Sequence, residues 1–323
     1  MRIAYLIAWR GGRMTGPFKK MVAQADAWSR MGHEVALFVT TSSEALSDWQ
    51  SVPQATLVEG LQRGGLRTVA ARRRAARAVE TWNADVVYLR HGMTTPGLAR
   101  LVCLFPTVLE VNGDDVATAA ASSRLKALWA AASRGRVLRH VDAAIFMTNE
   151  LASRRRFSRF EIQSLVLPNG IDLATMPTLP PHTSAPPRLV MLGHPDTPWH
   201  GADKLVGLAH RFPDWRIDVI GPNAADLRAE APTNVYLHGE LATDEYVPLL
   251  QEADAAFGSL AMHRVGANEN PALKVREYLA LGLPVITGCR DPDFSAPTDF
   301  MLVLPNEEAN VADAGESIKS FVN

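Results

Sequence analysis

The sequence predicts an α/β protein made of two Rossmann-like domains, and three observations predict it. The chain opens with an apolar strand, a glycine-containing loop, a helical repeat and a second strand, a βαβ start. A turn and a proline-rich segment interrupt the chain near residue 175. Beyond that break the strand and helix rhythm begins again. With 323 residues the chain is long enough to bury two sizeable cores.

Taken in order, Arg2 to Trp9 (RIAYLIAW) reads as a strand and Arg10 to Gly16 (RGGRMTG) as a loop. Phe18, Met21, Val22, Ala25 and Trp28 then recur at helical spacing until Gly32, and Glu34 to Thr40 supplies the second strand. These glycines do not form GxGxxG, and no GK[ST] is present, so neither a dinucleotide fingerprint nor a P-loop is supported. Helical spacing returns over Leu66 to Trp82, with Arg63, Arg67, Arg72, Arg73, Arg74 and Arg77 and no acid until Glu80. Such a run is either a solvated helix face or a dock for anionic lipid or a phosphorylated acceptor. Ala84 to Leu89 and Thr107 to Val111 read as buried parallel strands; the second leads into the polar turn Asn112-Gly113-Asp114-Asp115. Open α/β sheets place ligands at that end of a strand, which makes Asn112 and Asp114 acceptor-side candidates. Ala143 to Met147 and Leu165 to Leu167 close the first half.

Pro168-Asn169-Gly170-Ile171-Asp172 is a turn, and Leu173 to Pro187 carries five prolines, as expected of a stiff linker. The expected domains are residues 1–172, a linker over 173–187, a second domain over 188–309, and a terminal helix over 310–323 that crosses back to the first domain. Strands follow at Arg188 to Leu192, Arg216 to Ile220, Val235 to Leu237 and Ala255 to Phe257, with helices over Asp203 to Arg211 and Glu245 to Glu252. Asp291-Pro292-Asp293 offers a DxD, read here as a proline turn.

The net charge of −1 hides an asymmetry. Residues 1–172 hold 23 Lys+Arg against 14 Asp+Glu, and residues 173–323 hold 10 against 20. Oppositely charged halves suit mutual attraction, or a basic half that receives an anionic partner. No segment is long and apolar enough to span a membrane: Leu101 to Leu109 is too short and contains Pro106. Met1 to Trp9 lacks a cleavage pattern, and Cys103 and Cys289 make neither a disulfide framework nor a metal spacing, so a cytoplasmic location is expected. Nothing indicates nucleic acid. HExxH, a nucleophile elbow and CxxC pairs are all missing.

The most informative stretch is Asn268 to Ile286, NENPALKVREYLALGLPVI. Asn270 can cap a helix, Pro271 suits its first position, Gly282 can end it, and a strand follows. At 100° per residue Ala272, Val275 and Leu279 make one apolar stripe, and Lys274 and Glu277 fall together elsewhere. A helix N-terminus beside a lysine is a place for phosphate. Two glutamates with seven residues between them, the second opening EYLALGLPVI, resemble the donor-site motif of the family 4 retaining glycosyltransferases, whose GT-B architecture sets two Rossmann-like domains facing across a cleft.

That resemblance implies a nucleotide-diphosphate sugar as donor substrate, no cofactor and no metal. Glu269 would hold sugar hydroxyls and Glu277 ribose hydroxyls. The N–H groups of Ala272, Leu273 and Lys274, with the lysine charge, would stabilise the departing diphosphate; Glu269 and Lys274 are the implied catalytic residues. Gly16 would let the backbone approach the donor phosphate, although Thr15-Gly16 stands where the family usually has two glycines. The family's diphosphate-clamping arginine and lysine are replaced by His194 and His200, leaving a weaker clamp, a pH-dependent one, or one delegated to Lys274 and Lys204. Asn112 stands where many relatives have a histidine. The acceptor is unidentified, with an anionic or lipid-linked one and peripheral membrane contact as expectations. A GT-B nucleotide-sugar epimerase and a non-catalytic nucleotide-sugar-binding homologue or partner subunit stay open beside the transferase.

Overall fold

The computed structural model describes residues 1–60, 65–177 and 184–322. Arg63, Pro180 and Pro181 lie outside the described residues. The chain divides into two units, Met1–Leu167 and Pro168–Asn323. The turn at Pro168 to Asp172, expected to end the first domain, therefore begins the second unit.

The first unit is a seven-stranded sheet of β1 (Arg2–Ala8), β2 (Glu34–Thr41), β3 (Ala55–Glu59), β4 (Val86–Arg90), β5 (Thr107–Val111), β6 (Ala143–Phe146) and β7 (Gln163–Val166). Their order is β3-β2-β1-β4-β5-β6-β7, and every pairing is parallel. The order turns outward in both directions from β1, so the space beyond the carboxyl ends of β1 and β4 is the topological switch point. Parallel strands covered on both faces need near-continuous apolar runs, and β1 is one. Its alternation sorts the faces: Ile3, Tyr5 and Ile7 pack with Phe18, Met21 and Trp49, while Ala4 and Leu6 pack with Ala75, Leu89 and Leu101.

The second unit repeats the plan with β8 (Arg188–Leu192), β9 (Arg216–Ile220), β10 (Val235–Gly239), β11 (Ala255–Phe257), β12 (Val285–Thr287) and β13 (Met301–Val303). The order is β10-β9-β8-β11-β12-β13, all parallel, with its switch point between β8 and β11. Leu189 and Met191 face one core, and Val190 and Leu192 the other. Ile318 and Val322 of the last helix, Gly315–Val322, join the core around Leu189, so that helix contributes to the second unit's packing.

Sequence periodicity did not reveal β3, β13 or the helices Pro96–Leu104, Asp115–Ser122 and Arg124–Ser133. The basic helix forms as expected over Leu66–Trp82, burying Ala71, Ala75, Ala76 and Val79. Arg67, Arg73, Arg74 and Arg77 are exposed, but Arg72 is not part of that solvated face and lines a cavity.

Candidate functional site

In the second unit the helix over Leu273–Leu281 is where the sequence placed it, with a later start. Ala272, not Asn270, is the N-cap position. Asn270 spends its side-chain amide on Ser259 Oγ (3.1 Å) and Met262 Sδ (3.4 Å), and its N–H on Arg290 O (2.9 Å). Those bonds hold Asn268 to Asn270 as a strip beside Arg290, with a β-bridge at Glu269. Pro271 accordingly stays outside the helix and its carbonyl accepts from Asn169 Nδ2 at 2.7 Å. The expected apolar stripe is also displaced: Val275, Tyr278 and Leu281 are buried, Ala272 and Leu279 only partly so.

The start of this helix faces the carboxyl end of β8. Lys274 Nζ donates to Leu192 O at 2.8 Å, and the Leu192 N–H donates to the Tyr278 hydroxyl at 2.7 Å. The N–H groups of Ala272, Leu273 and Lys274 donate to no backbone carbonyl among the described residues, the ordinary condition of a helix start and the one that favours an anion. Burial pushes the Lys274 ammonium down to about 7. Glu277 accepts from the Tyr246 hydroxyl at 2.6 Å, which fixes its carboxylate. Glu269 has a side chain only 12% exposed, with Arg290 Nη2 3.9 Å away.

The loop from Gly193 to Gly201 lies beside Lys274. Gly221, at φ +97°, brings its backbone so close to Gly193 that a Cβ there would stand 2.3 Å from Gly193 O. A Cβ on Gly193 would lie 2.6 Å from Pro222 and 3.3 Å from His200 Nδ1. Burial, then the neighbouring Lys274 and His194, push His200 down to about 2, so it is a neutral imidazole bonded to Thr197 Oγ1 at 2.9 Å. His200 thus offers the site a neutral imidazole and not a fixed positive charge. His194 is exposed, 3.7 Å from Glu240. Lys204 is no substitute either, because Leu260 O, Glu307 O and Asn310 Oδ1 occupy its three protons at 2.7–2.9 Å.

One support escaped the sequence reading. Arg276, 7% exposed, makes a bidentate pair with Asp291 (2.8 and 2.8 Å), reaches Asp293 at 2.6 Å and donates to Asn169 O at 2.6 Å. Both acids of the DxD are thus engaged by an arginine, in keeping with a structural turn. Among the described residues no group of three or more acids, histidines and cysteines is disposed to hold a metal. Buried Cys289 lies close enough to Lys274 for the two to interact, and burial pushes its thiol up to about 11.

In the first unit Gly16 opens the helix Gly16–Arg30 without a positive φ. The tightly packed glycines are earlier: a Cβ on Gly12 would meet Asp48 at 1.8 Å, and one on Gly11 would meet Trp9 and Thr15 at 2.7 Å. Asn112 lies at the end of β5, its Oδ1 3.4 Å from Lys20 Nζ. Beside it Glu110, 2% exposed, pairs with Lys20 and Arg90 and accepts from the Tyr5 hydroxyl at 3.1 Å. Burial alone would raise Glu110, but Lys20 and Arg90 hold it below the usual carboxylate range. Asp114 is the N-cap of Asp115–Ser122, accepting from Val116 and Ala117, and it pairs with Arg156 (2.9 Å) and Arg154 (3.4 Å). Its carboxylate is thus engaged by a helix cap and two arginines.

Residues 15–170 match the family model of the glycosyl transferase 4-like domain. No curated protein matches the chain by sequence. Among solved structures, the sucrose-phosphate synthase of Thermosynechococcus elongatus aligns with a TM-score of 0.70 at 16% identity, covering 98% of this chain and 90% of that one. HepE of Anabaena, solved with UDP and glucose, aligns with a TM-score of 0.64 at 16% identity over 98% and 89%. A UDP-GlcNAc 2-epimerase of Neisseria meningitidis, bound to UDP-GlcNAc, aligns with a TM-score of 0.60 at 12% identity over 100% and 93%. The shared feature is the GT-B fold of two Rossmann-like domains. No helix among the described residues is long and apolar enough to cross a membrane.

Proposed function

We propose that this chain, whose residues 15–170 match the glycosyl transferase 4-like domain, moves a sugar from a nucleotide-diphosphate sugar to an acceptor with retention of configuration, without a metal. The observation that carries the reading is that Lys274, in the first turn of Leu273–Leu281, places its Nζ at the carboxyl end of β8. A departing diphosphate gains negative charge as the glycosidic bond breaks, and donors fixed in advance stabilise it most at that moment. Pro271 has no N–H, so Ala272, Leu273 and Lys274 supply the donors.

Glu277, held by Tyr246, is suited to accept from ribose hydroxyls, and Glu269 to accept from the sugar. Retention suits the first unit as well. When the leaving diphosphate and the incoming hydroxyl act on one face of the sugar, the phosphate itself can take the proton, so Asn112 need not be a base. The DxD is spent on Arg276, which agrees with a charge supplied by lysine and backbone. UDP-sugars head the donor candidates because HepE and the epimerase were solved with uridine nucleotides.

The likeness to an epimerase over the whole chain favours one second reading, isomerisation of the nucleotide sugar. A panel of UDP-, GDP-, ADP- and TDP-sugars with product detection by NMR separates the two. Transfer to an added acceptor, with the anomeric configuration kept, is the expected outcome. An isomerised nucleotide sugar selects the epimerase, and binding without turnover selects a non-catalytic role.

A further inference from the structure

The first unit holds a cavity of ≈ 40 Å³ at its topological switch point, lined by the ends of β1 (Leu6 to Ala8) and β4 (Leu89 to Gly92), with Thr40, Arg72, Ala75, Thr95 and Leu98. None of the residues implied by the donor motif lies here. Its lining combines apolar Leu6, Ile7, Leu89 and Leu98 with Arg72, Arg90 and His91. Thr95, 4% exposed, is the N-cap of the nine-residue helix Pro96–Leu104, yet its hydroxyl makes no capping bond and has no hydrogen-bond partner. Arg72 donates through Nη1 to Met93 O, while its buried Nε is also without a partner. Gly92 lies beside the guanidinium, since a Cβ there would be 3.9 Å from Arg72 Nη2, an ordinary contact distance.

Buried polar groups are nearly always satisfied, and two orphaned donors on one cavity indicate a missing acceptor. The charges indicate its sign. Arg90, on the same cavity, is matched by Glu110, whereas Arg72 pairs with no carboxylate among the described residues. Arg10 repels it: burial and this like charge push the Arg72 guanidinium down to about 10. Two more features of the fold favour an anion here, the N-terminus of Pro96–Leu104 and the switch point itself.

We infer that this cavity binds a phosphate monoester, held by Arg72 Nε and Nη2, the Thr95 hydroxyl and the helix N-terminus, as the anionic handle of the acceptor. The binding claim stands on the cavity alone; the word acceptor rests on the transferase reading. Two sources share this chemistry, a soluble sugar phosphate and a phosphorylated lipid headgroup.

The test uses the full chain and follows thermal shift and calorimetry with inorganic phosphate, glucose 6-phosphate and vesicles containing phosphatidic acid. Wild type is expected to gain stability with inorganic phosphate and to bind one of the two esters more tightly. Stronger binding of the sugar phosphate identifies a soluble source, and stronger binding of the vesicles a lipid one. Arg72→Gln and Thr95→Val are each expected to weaken that binding about tenfold or more. Arg72→Lys, which keeps the charge and loses the fork, should fold and bind weakly. UDP binding should be the same in all three variants, and Lys274→Met should lose the UDP response while keeping the phosphate response. The inference is overturned if wild type shows no response to any of the three probes, or if Arg72→Gln responds as wild type does. A wild type that responds to phosphate but not to UDP would instead count against the transferase reading.

Discussion

Lys274 is the residue at which fold and proposed chemistry meet most closely. Its amine donates to Leu192 O and is pushed down to about 7 by burial, so above that pH the amine is largely neutral. A bound diphosphate favours the cation and raises this pKa. Binding should therefore take up a proton between pH 7 and the higher pKa of the complex, with affinity greatest below pH 7 and falling as pH rises. Calorimetry at pH 8 in two buffers of different ionisation heat is expected to show uptake approaching one proton for wild type and none for Lys274→Met. Equal heats for wild type in both buffers would refute this. At this scale the sequence was partly legible. Lys274 and Glu277 stand out through their spacing, but Tyr246 and Tyr278, which fix Glu277 and Leu192, come from long-range packing that spacing does not encode. His200 shows the same limit, because its burial beside Lys274 sets its charge and no residue type reveals burial.

The helix Leu273–Leu281 was legible as an element, while its start was not. Local capping preferences favoured Asn270 and Pro271, yet the bonds of Asn270 to Ser259, Met262 and Arg290 won over the cap. The helix is then tied down by Arg276, whose guanidinium joins Asn169, Asp291 and Asp293. Removing one partner of a buried pair leaves an uncompensated charge, so Arg276→Ala should cost about 3–5 kcal/mol. Urea unfolding checks it, and a loss below about 1 kcal/mol would show that the network carries little of the element's stability. The sequence could not identify Arg276, which reads as one more polar position on the helix.

Across the whole molecule, the two sheets share one plan, parallel strands spreading from a central switch point, and each candidate site lies at such a point. Long apolar strands such as Arg2–Ala8 and Arg188–Leu192 made that plan readable in the sequence. Edge strands were harder. Ala55–Glu59 is short and mixed, Met301–Val303 has three residues, and their place comes from the neighbours that pair with them. The opposite charges of the two halves also follow from the sequence, but not the inward turn of Arg72 from an otherwise solvated helix face. The central claim is that Leu273–Leu281, through Lys274, holds the diphosphate of a nucleotide sugar. Titration of the full chain with the best-bound member of the donor panel, for wild type, Lys274→Met and Glu277→Gln, tests it most directly. The expected result is a loss of affinity of about tenfold or more in each variant, with unliganded melting temperatures retained. Unchanged binding and transfer in both variants would contradict it.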